Sequence, residues 1–165
     1  MGRASTKENK SIYQITREEL KLTREKAGEL IGYMSPERIE KIENYKVNIQ
    51  PDDVMALADC YKAPRLCNYY CANECPIGQK YVPEVEVKDL AQITIETLNS
   101  LNKINREKDR LLEIIEDGRI TDDELADFVL IKKTLDKISL SVDTLQLWVN
   151  QAIADGDLDE TAFNT

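Results

Sequence analysis

Residues 22–46 read LTREKAGELIGYMSPERIEKIENYK and contain the start and stop signals of two short helices. Thr23 is a favourable N-cap for the first helix, and Gly32 is a typical C-terminal stop. Ser35 followed by Pro36 marks a second N-terminus, because proline suits the first position of a helix. This stretch therefore predicts a helix, a tight turn and a second helix.

Further helices are predicted on both sides of this pair. Residues 16–19 (TREE) fit a capping box, whereas Ile12 and Ile15 suggest that the first helix begins one turn earlier. Pro51 begins another helix after the pair, and the acidic residues that follow it suit the positive end of the helix dipole. The first third of the chain is therefore predicted to be helical.

Composition supports an all-α fold and excludes several classes of enzyme. The chain has 165 residues, of which 42% are hydrophobic, and it contains 6 Gly and 5 Pro. Such a composition favours helices over a turn-rich β architecture. The sequence has 0 His, which excludes Ser-His-Asp catalysis and Cys2His2 zinc fingers. Without a glycine-rich phosphate loop either, we expect no enzymatic activity.

Charge is unevenly distributed along the chain. Residues 1–65 carry 12 Lys or Arg against 11 Asp or Glu, whereas residues 66–165 carry 10 against 20. An acidic surface repels phosphate, so any contact with nucleic acid must lie before Cys67. No apolar run approaches the ~20 residues of a membrane span, and the first residues lack the apolar core of a signal peptide. We therefore expect a cytoplasmic protein with no membrane partner.

Residues 12–66 resemble the phage-repressor, or Cro/C1-type, helix-turn-helix family. The resemblance is carried by the Leu-Thr cap at 22–23, the Ile-Gly pair before the turn, the block IEKIENYK at 39–46, and the proline-led helix after it. Tyr45 stands where the family often has glycine. The resemblance implies a five-helix domain that presents one helix to the major groove of double-stranded DNA.

The resemblance also implies roles for side chains on and around the reading helix, which begins at Pro36. The candidate DNA-contacting residues are Arg38 and Lys41 at base edges, Arg24 and Ser35 at phosphates, Asn44 and Lys46 at the backbone after the helix, and Glu37 beside them. The family often pairs an arginine of the first helix with a glutamate of the reading helix. Arg17 and Glu43 are therefore expected to form a structural ion pair.

Four cysteines, Cys60, Cys67, Cys71 and Cys75, lie within a short segment. On one continuous helix Cys67 and Cys75 would stand roughly 12 Å apart, too far to share a zinc ion. If the helix ended near Cys71, Cys75 could fold back toward Cys60, and a four-thiolate zinc or iron–sulfur site would be possible. The alternatives are thiols packed as small hydrophobic groups, or a disulfide or redox switch.

The second half of the chain predicts two long helices. Apolar and small residues step by four and three from Leu90 to Ile115 and again from Ile131 to Ala152, a pattern typical of helices that pack as coiled coils. Gly118 is the predicted stop of the first helix, and residues 121–124 (TDDE) form a capping box for the second. The short connection between them predicts an antiparallel hairpin.

These signals predict five segments along the chain. They are a flexible tail at 1–11, a helix-turn-helix domain with a cysteine-rich fifth helix at 12–75, a linker at 76–87, a helical hairpin at 88–156 and a tail at 157–165. A two-helix hairpin has no closed core, so the hairpin is expected to form a homodimer or serve as an effector module, unless it folds back on the first domain.

Two functions fit this organisation. The first is a transcriptional regulator that binds duplex DNA as a homodimer and acts by occupying its operator. The second is a protein-interaction adaptor that keeps the repressor-like fold, binds DNA weakly or not at all, and has a thiolate metal site or redox-sensing site as a further possibility. Glu37 and Glu40, which place acid on the reading helix, are compatible with the adaptor.

Overall fold

A computed structural model describes residues 9–163, and it is all-helical, with no strand in that range. The predicted fold class, a helix-turn-helix domain followed by long helices, is confirmed. The α-helices are α1 (Ile12–Glu19), α2 (Arg24–Ile31), α3 (Pro36–Glu43), α4 (Pro51–Cys60), α5 (Arg65–Asn73), α6 (Gly78–Tyr81), α7 (Leu90–Ile114) and α8 (Leu125–Asp155), and a 3-10 helix covers Glu160–Phe163.

The beginnings of the first three helices are set by side-chain caps. Ser11 accepts a hydrogen bond from the Gln14 amide at 3.2 Å, so α1 begins one turn before the capping box at 16–19. Thr23 and Ser35 cap α2 and α3 through the amides three residues on, and Pro36 occupies the first turn of α3, as predicted. Each cap satisfies an amide that would otherwise lack a partner at the helix start.

Helices α1 to α5 enclose one hydrophobic core. Its largest members are Tyr13, Ile39, Ile42, Leu57 and Leu66, each at most 2% exposed. Full burial of a side chain of this size stabilises a fold by about 1.5–3 kcal/mol relative to leaving it in water. This shared core holds α3 against the other helices and leaves its opposite side in solvent.

The segment predicted as an extended linker contains a short helix. Gly78, the first residue of α6, is buried against α5, where a Cβ would lie 1.9 Å from the carbonyl oxygen of Cys71. Only glycine allows this approach of two backbones. The linker prediction is therefore wrong for residues 78–81, because the missing side chain lets the chain pack on α5.

The second half contains the two predicted long helices. Helix α7 ends at Ile114, one turn before Gly118, which has a φ of +70° in the connection. Thr121 donates through its backbone amide and its hydroxyl to Glu124 just before α8, at 3.0 and 2.6 Å. Arg110 of α7 pairs with Asp127 of α8 at 2.7 Å, so the chain reverses direction between them. Gly156 ends α8, as predicted.

The buried face of α8 differs from the predicted apolar stripe. Thr134 and Ser141 are at most 8% exposed, whereas Leu135 and Val142 of the predicted stripe are 44% and 56% exposed. Both buried hydroxyls donate to the carbonyl four residues earlier, at 3.3 and 2.9 Å, which removes most of the penalty of burying them. The predicted stripe is confirmed at Ile131 and Ala152, which are buried, and is wrong at Leu135 and Val142, because the hydroxyl residues share the inner face with Ile131 and Leu147.

Chain packing divides the described residues into two units. One unit contains the residues up to Glu84 together with those from Asn150 onward, and the other is Val85–Val149. In the first unit, Gln151 near the end of α8 donates to the Lys62 carbonyl at 3.0 Å. No described helix is long and apolar enough to cross a membrane.

The predicted tails are ordered where they are described. Lys10 pairs with Glu18 at 2.6 Å, and Ser11 caps α1, so these two residues do not belong to a flexible tail. The 3-10 helix Glu160–Phe163 lies in the predicted C-terminal tail. The remaining parts of the tail predictions, residues 1–8 and 164–165, lie outside the described residues.

Candidate nucleic-acid interface

Helices α2 and α3 form the helix-turn-helix pair, and two glycines shape the turn between them. Gly32 caps α2 at a φ of +87°, a left-handed conformation that L side chains rarely adopt. Gly28, inside α2, is buried against the carbonyl oxygen of Met34, where a Cβ would lie only 2.6 Å away. The close crossing of α2 and the turn therefore depends on a glycine at position 28.

The local sequence around Gly28 does not indicate which group packs against it. The signal was present, since glycine inside a helix lowers its stability by about 1 kcal/mol relative to alanine and therefore indicates a packing reason. Only the tertiary structure shows that this reason is the Met34 carbonyl.

We expect Gly28→Ala to destabilise the first unit even though alanine is the better helix former. The added methyl group meets a backbone oxygen rather than a flexible side chain, so α2 and the turn must move apart. We expect a loss of about 1–3 kcal/mol in the free energy of unfolding, measured by urea denaturation. Ala27→Gly, at the neighbouring buried position of α2, is a control for loss of a small side chain. An unchanged or raised stability of Gly28→Ala would contradict the assigned contact.

Glu43 lies at the centre of a buried ion cluster that joins α1, α2 and α3. It accepts from Arg17 Nε at 2.5 Å and Nη2 at 3.0 Å, and from Arg24 Nε at 2.9 Å. Glu43 is 2% exposed and Arg17 is 6% exposed. Burial alone would lower the pKa of Arg17, but the hydrogen bond and charge of Glu43 raise it. Arg17 also donates to the Leu22 carbonyl at 2.6 Å, which ties the α1–α2 turn to α3.

The structure places the expected partners Arg17 and Glu43 in contact and adds Arg24 to them. The resemblance implied that Arg24 contacts phosphate, whereas its guanidinium is held by Glu43 and its side chain remains 30% exposed. One carboxylate therefore holds two guanidinium groups, and the Arg24 side chain pairs with the buried Glu43 while part of it remains at the surface.

Arg38, implied as a base-reading residue, is also held by a carboxylate. Its Nε and Nη2 donate to the two oxygens of Asp53, a residue of α4 that is 4% exposed. Asp53 raises the pKa of Arg38 by hydrogen bonding and by its charge. The sequence suggested only a helix-dipole role for the acidic start of α4, so Asp53 was missed as a partner. Helix α4 brings this carboxylate beside α3, and the contact of Arg38 with a base edge stays a prediction.

The other residues implied to touch DNA lie on or beside α3. Lys41 is exposed and has no hydrogen-bond or ion-pair partner among residues 9–163. Lys46 is 64% exposed, with its nearest carboxylate oxygen, on Glu40, at 3.9 Å. Asn44 donates from Nδ2 to the Glu40 carbonyl at 2.7 Å. The two lysines are therefore the cations of this set that are most available to a ligand.

Ser35 and Glu37 act locally at the start of α3. Ser35 accepts from the Arg38 amide at 3.3 Å. Hydrogen bonds from the Glu37 backbone amide and from Ser35 lower the pKa of the Glu37 side chain, which is exposed. Glu37 therefore stabilises the helix start as an anion, as the helix dipole favours.

The structure does not assemble the predicted cysteine metal site. Among the described residues, no group of three or more Cys, Asp or Glu side chains is arranged to hold a metal ion. Helix α5 continues to Asn73 instead of ending near Cys71, so Cys67 and Cys71 stay on one helix and Cys75 follows its end. Burial raises the pKa of the Cys60 and Cys67 thiols, which disfavours thiolate ligands.

The cysteines fit the packed-thiol alternative better. Cys60 and Cys67 pack against the main core, and all four thiols are free and partly buried. The prediction that these four cysteines ligate zinc or an iron–sulfur cluster is therefore corrected, because the path of α5 does not bring them together. The physical reason is that a helix that is unbroken at Cys71 spreads its cysteines along an axis rather than around a point.

A comparison with protein families supports the class of this domain. Residues 14–65 match the model of the helix-turn-helix family, which confirms the resemblance to Cro/C1-type domains. This segment therefore belongs to the helix-turn-helix family, whose domains are typical of DNA-binding transcription regulators. Neither the curated proteins nor the solved structures contain a match.

Proposed function

We propose that the protein is a transcription regulator that binds duplex DNA as a homodimer and acts by occupying its operator. The single observation that carries this proposal is the helix-turn-helix segment at 14–65, in which α3 is held by a buried ion cluster while its outer side stays in solvent. A rigidly held helix of this kind suits the major groove, which is about 12 Å wide. Such a function requires binding rather than chemistry.

Charge supports the choice of surface. Lys41 and Lys46 are the exposed cations at α3, and Arg24 and Arg38 lie nearby in partly exposed ion pairs. The chain from residue 66 onward is acidic and repels phosphate. We infer that Lys41 and Lys46 supply most of the attraction to DNA. Arg38 contacts a base only if its guanidinium donates hydrogen bonds to Asp53 and to the DNA at the same time.

Dimerisation is proposed for the second unit because several of its apolar side chains face outward. On α8, Leu135, Val142 and Leu145 are 40% to 56% exposed, while hydroxyl residues share the inner face with Ile131 and Leu147. On α7, Leu98 and Leu112 are 54% and 61% exposed. A second copy of the same hairpin would cover such faces, and a two-fold dimer would present two reading helices to two half-sites.

DNA binding is tested with a pool of random duplex DNA and fluorescence polarisation at several salt concentrations. We expect the double variant Lys41→Ala with Lys46→Ala to weaken binding and to lower the slope of log affinity against log salt by about two, one for each lost phosphate neutralisation. The matched control is Lys132→Ala with Lys133→Ala, which removes two exposed lysines of α8. If the wild type binds no duplex in a salt-dependent way, or the control has the same effect, the proposal is wrong.

A second candidate function is a protein-interaction adaptor on the same fold. The observation that favours it is that two of the four cations implied to contact DNA, Arg24 and Arg38, are already paired with Glu43 and Asp53. Glu37 adds a further negative charge at the start of α3. The same binding experiment separates the two candidates, because an adaptor shows no salt-dependent affinity for DNA.

A further inference from the structure

A cleft of about 410 Å³ lies in the first unit, between the α3–α4 connection and the C-terminal half of α5. None of the residues implied to contact DNA lines it. Its walls combine aromatic rings, amides, two aliphatic side chains and one carboxylate. The lining residues are Tyr45, Val47, Asn48, Ile49, Tyr69, Tyr70, Asn73 and Glu74. A cleft of this size accommodates a small organic molecule.

The carboxylate in this cleft lacks a cationic partner. Glu74 Oε1 and the Tyr13 hydroxyl are both buried, and within the described part of the chain neither has a hydrogen-bond partner other than the other. No lysine or arginine among residues 9–163 forms an ion pair with Glu74, and the nearby Lys46 lies toward Glu40. Burial raises the pKa of Glu74, and a hydrogen bond from the Tyr13 hydroxyl opposes this rise but supplies no counter-charge. A buried carboxylate is costly unless a cation or a hydrogen-bond donor satisfies it.

Two tyrosines supply aromatic surface beside this carboxylate. Tyr69 packs edge-on against the buried Tyr13, with ring centroids 6.1 Å apart. Tyr45 is 59% exposed and takes a left-handed φ of +53°, which is strained for a residue with a side chain. Glycine would occupy the Tyr45 position without strain, so the ring is kept at a cost to stability. Tyrosine rings near an unpaired carboxylate attract cations through their electron-rich faces.

We propose that this cleft binds a small organic cation with N–H donors, a primary ammonium or a guanidinium group, with its charge on Glu74 and its carbon skeleton against Tyr45 and Tyr69. Glu74 has a hydroxyl donor but no counter-charge, and an N–H cation can both neutralise it and donate to it, whereas a quaternary ammonium cannot donate. The amide oxygens of Asn48 and Asn73 at the rim can accept further hydrogen bonds. An anion is disfavoured because Glu74 carries negative charge in a poorly solvated place.

The position of the cleft indicates which part of the domain a bound cation would affect. Tyr45 lies between Asn44 and Lys46, directly after the reading helix. A ligand that holds the Tyr45 ring would therefore act on the segment that follows α3. The binding proposal itself does not rest on DNA binding and is tested without DNA.

The test uses full-length protein with phenethylammonium chloride as the probe and 2-phenylethanol as its neutral analogue. Binding of each compound is measured by isothermal titration calorimetry and by changes in the amide chemical shifts of residues 45–49. We expect the ammonium to bind at least about tenfold more tightly than the alcohol, because only the cation neutralises Glu74. Glu74→Gln keeps the shape and removes the charge, so it should abolish this difference. Glu29→Gln, an exposed carboxylate outside the cleft, is the matched control and should leave it unchanged.

Two further variants separate loss of the site from loss of folding. Tyr45→Gly removes the ring and relieves the left-handed strain, so it should weaken ammonium binding without lowering the melting temperature. Glu74→Gln should be at least as stable as the wild type at neutral pH. The pKa of Glu74 is raised in the folded protein, so its ionisation destabilises the fold above the usual carboxyl range and has no effect below it.

Either of two results would overturn the proposal. One is equal affinity of the wild type for phenethylammonium and 2-phenylethanol. The other is ammonium binding that Glu74→Gln leaves intact, which would assign the interaction to the acidic surface in general.

Discussion

Replacing Glu43 with alanine should lower the free energy of unfolding of the first unit by about 3–5 kcal/mol. The substitution leaves the Arg17 guanidinium buried without its partner and also frees Arg24, since both are held by this one carboxylate. Removing one member of a buried ion pair lowers stability by more than the intact pair contributes, because an uncompensated charge stays in the interior. Urea denaturation followed by far-ultraviolet circular dichroism measures the loss.

Two controls test whether the charge or the side-chain volume matters. Glu43→Gln retains the shape and one acceptor oxygen, so it should lose less stability than Glu43→Ala while still leaving Arg17 without a counter-charge. Glu29→Ala removes an exposed carboxylate that pairs with Lys26 and should change stability by no more than about 1 kcal/mol. A Glu43→Ala loss as small as that of Glu29→Ala would show that the cluster does not hold α3 in place.

The second large effect is expected from two charges on the exposed face of α8. In the proposed homodimer, Leu135→Glu with Val142→Glu would bury two carboxylates at the contact, so the protein should sediment as a monomer. Both positions are exposed in the single chain, at 44% and 56%, so each subunit should still fold. Loss of the second half-site contact should weaken operator binding by about 100-fold or more.

Lys133→Glu with Lys137→Glu is the matched control for this experiment. These residues are exposed on another side of α8, and the variant makes the hairpin more acidic than the test variant does. It should remain dimeric, which would show that the effect depends on the apolar face and not on net charge. A wild type that is monomeric at tens of micromolar, or a test variant that stays dimeric, would refute dimerisation through this face.

Local signals in the sequence determined where the first helices begin and end. Thr23, Gly32 and Ser35 bound α2 and α3 as predicted, because a capping hydrogen bond joins groups only three or four residues apart. The start of α1 was ambiguous, because a capping box and an earlier serine both lay in range, and Ser11 proved to be the cap. Helix type, helix order and the helix-turn-helix class could therefore be obtained without coordinates.

The candidate site was only partly predictable. The contact between Arg17 and Glu43 was expected from the family resemblance, although 26 positions separate the two residues. The engagement of Arg24 by Glu43 and of Arg38 by Asp53 was not expected, since nothing in the local pattern indicates which carboxylate approaches which guanidinium. The cleft beside Tyr45 and Glu74 was missed for the same reason, because its walls come from two separate segments.

The sequence alone determined features that depend on neighbours along the chain, namely the helix caps, the all-α class and the division of charge between the two halves. The tertiary structure alone decided which face of α8 is buried, why position 28 must be glycine and which ion pairs form. Apolar periodicity identified α8 as a helix but did not define its inner face, because hydroxyl residues can be buried when they bond to their own helix. Packing and ion pairing depend on the path of the chain through space, and that path brings together groups such as Arg38 and Asp53 that local patterns treat as unrelated.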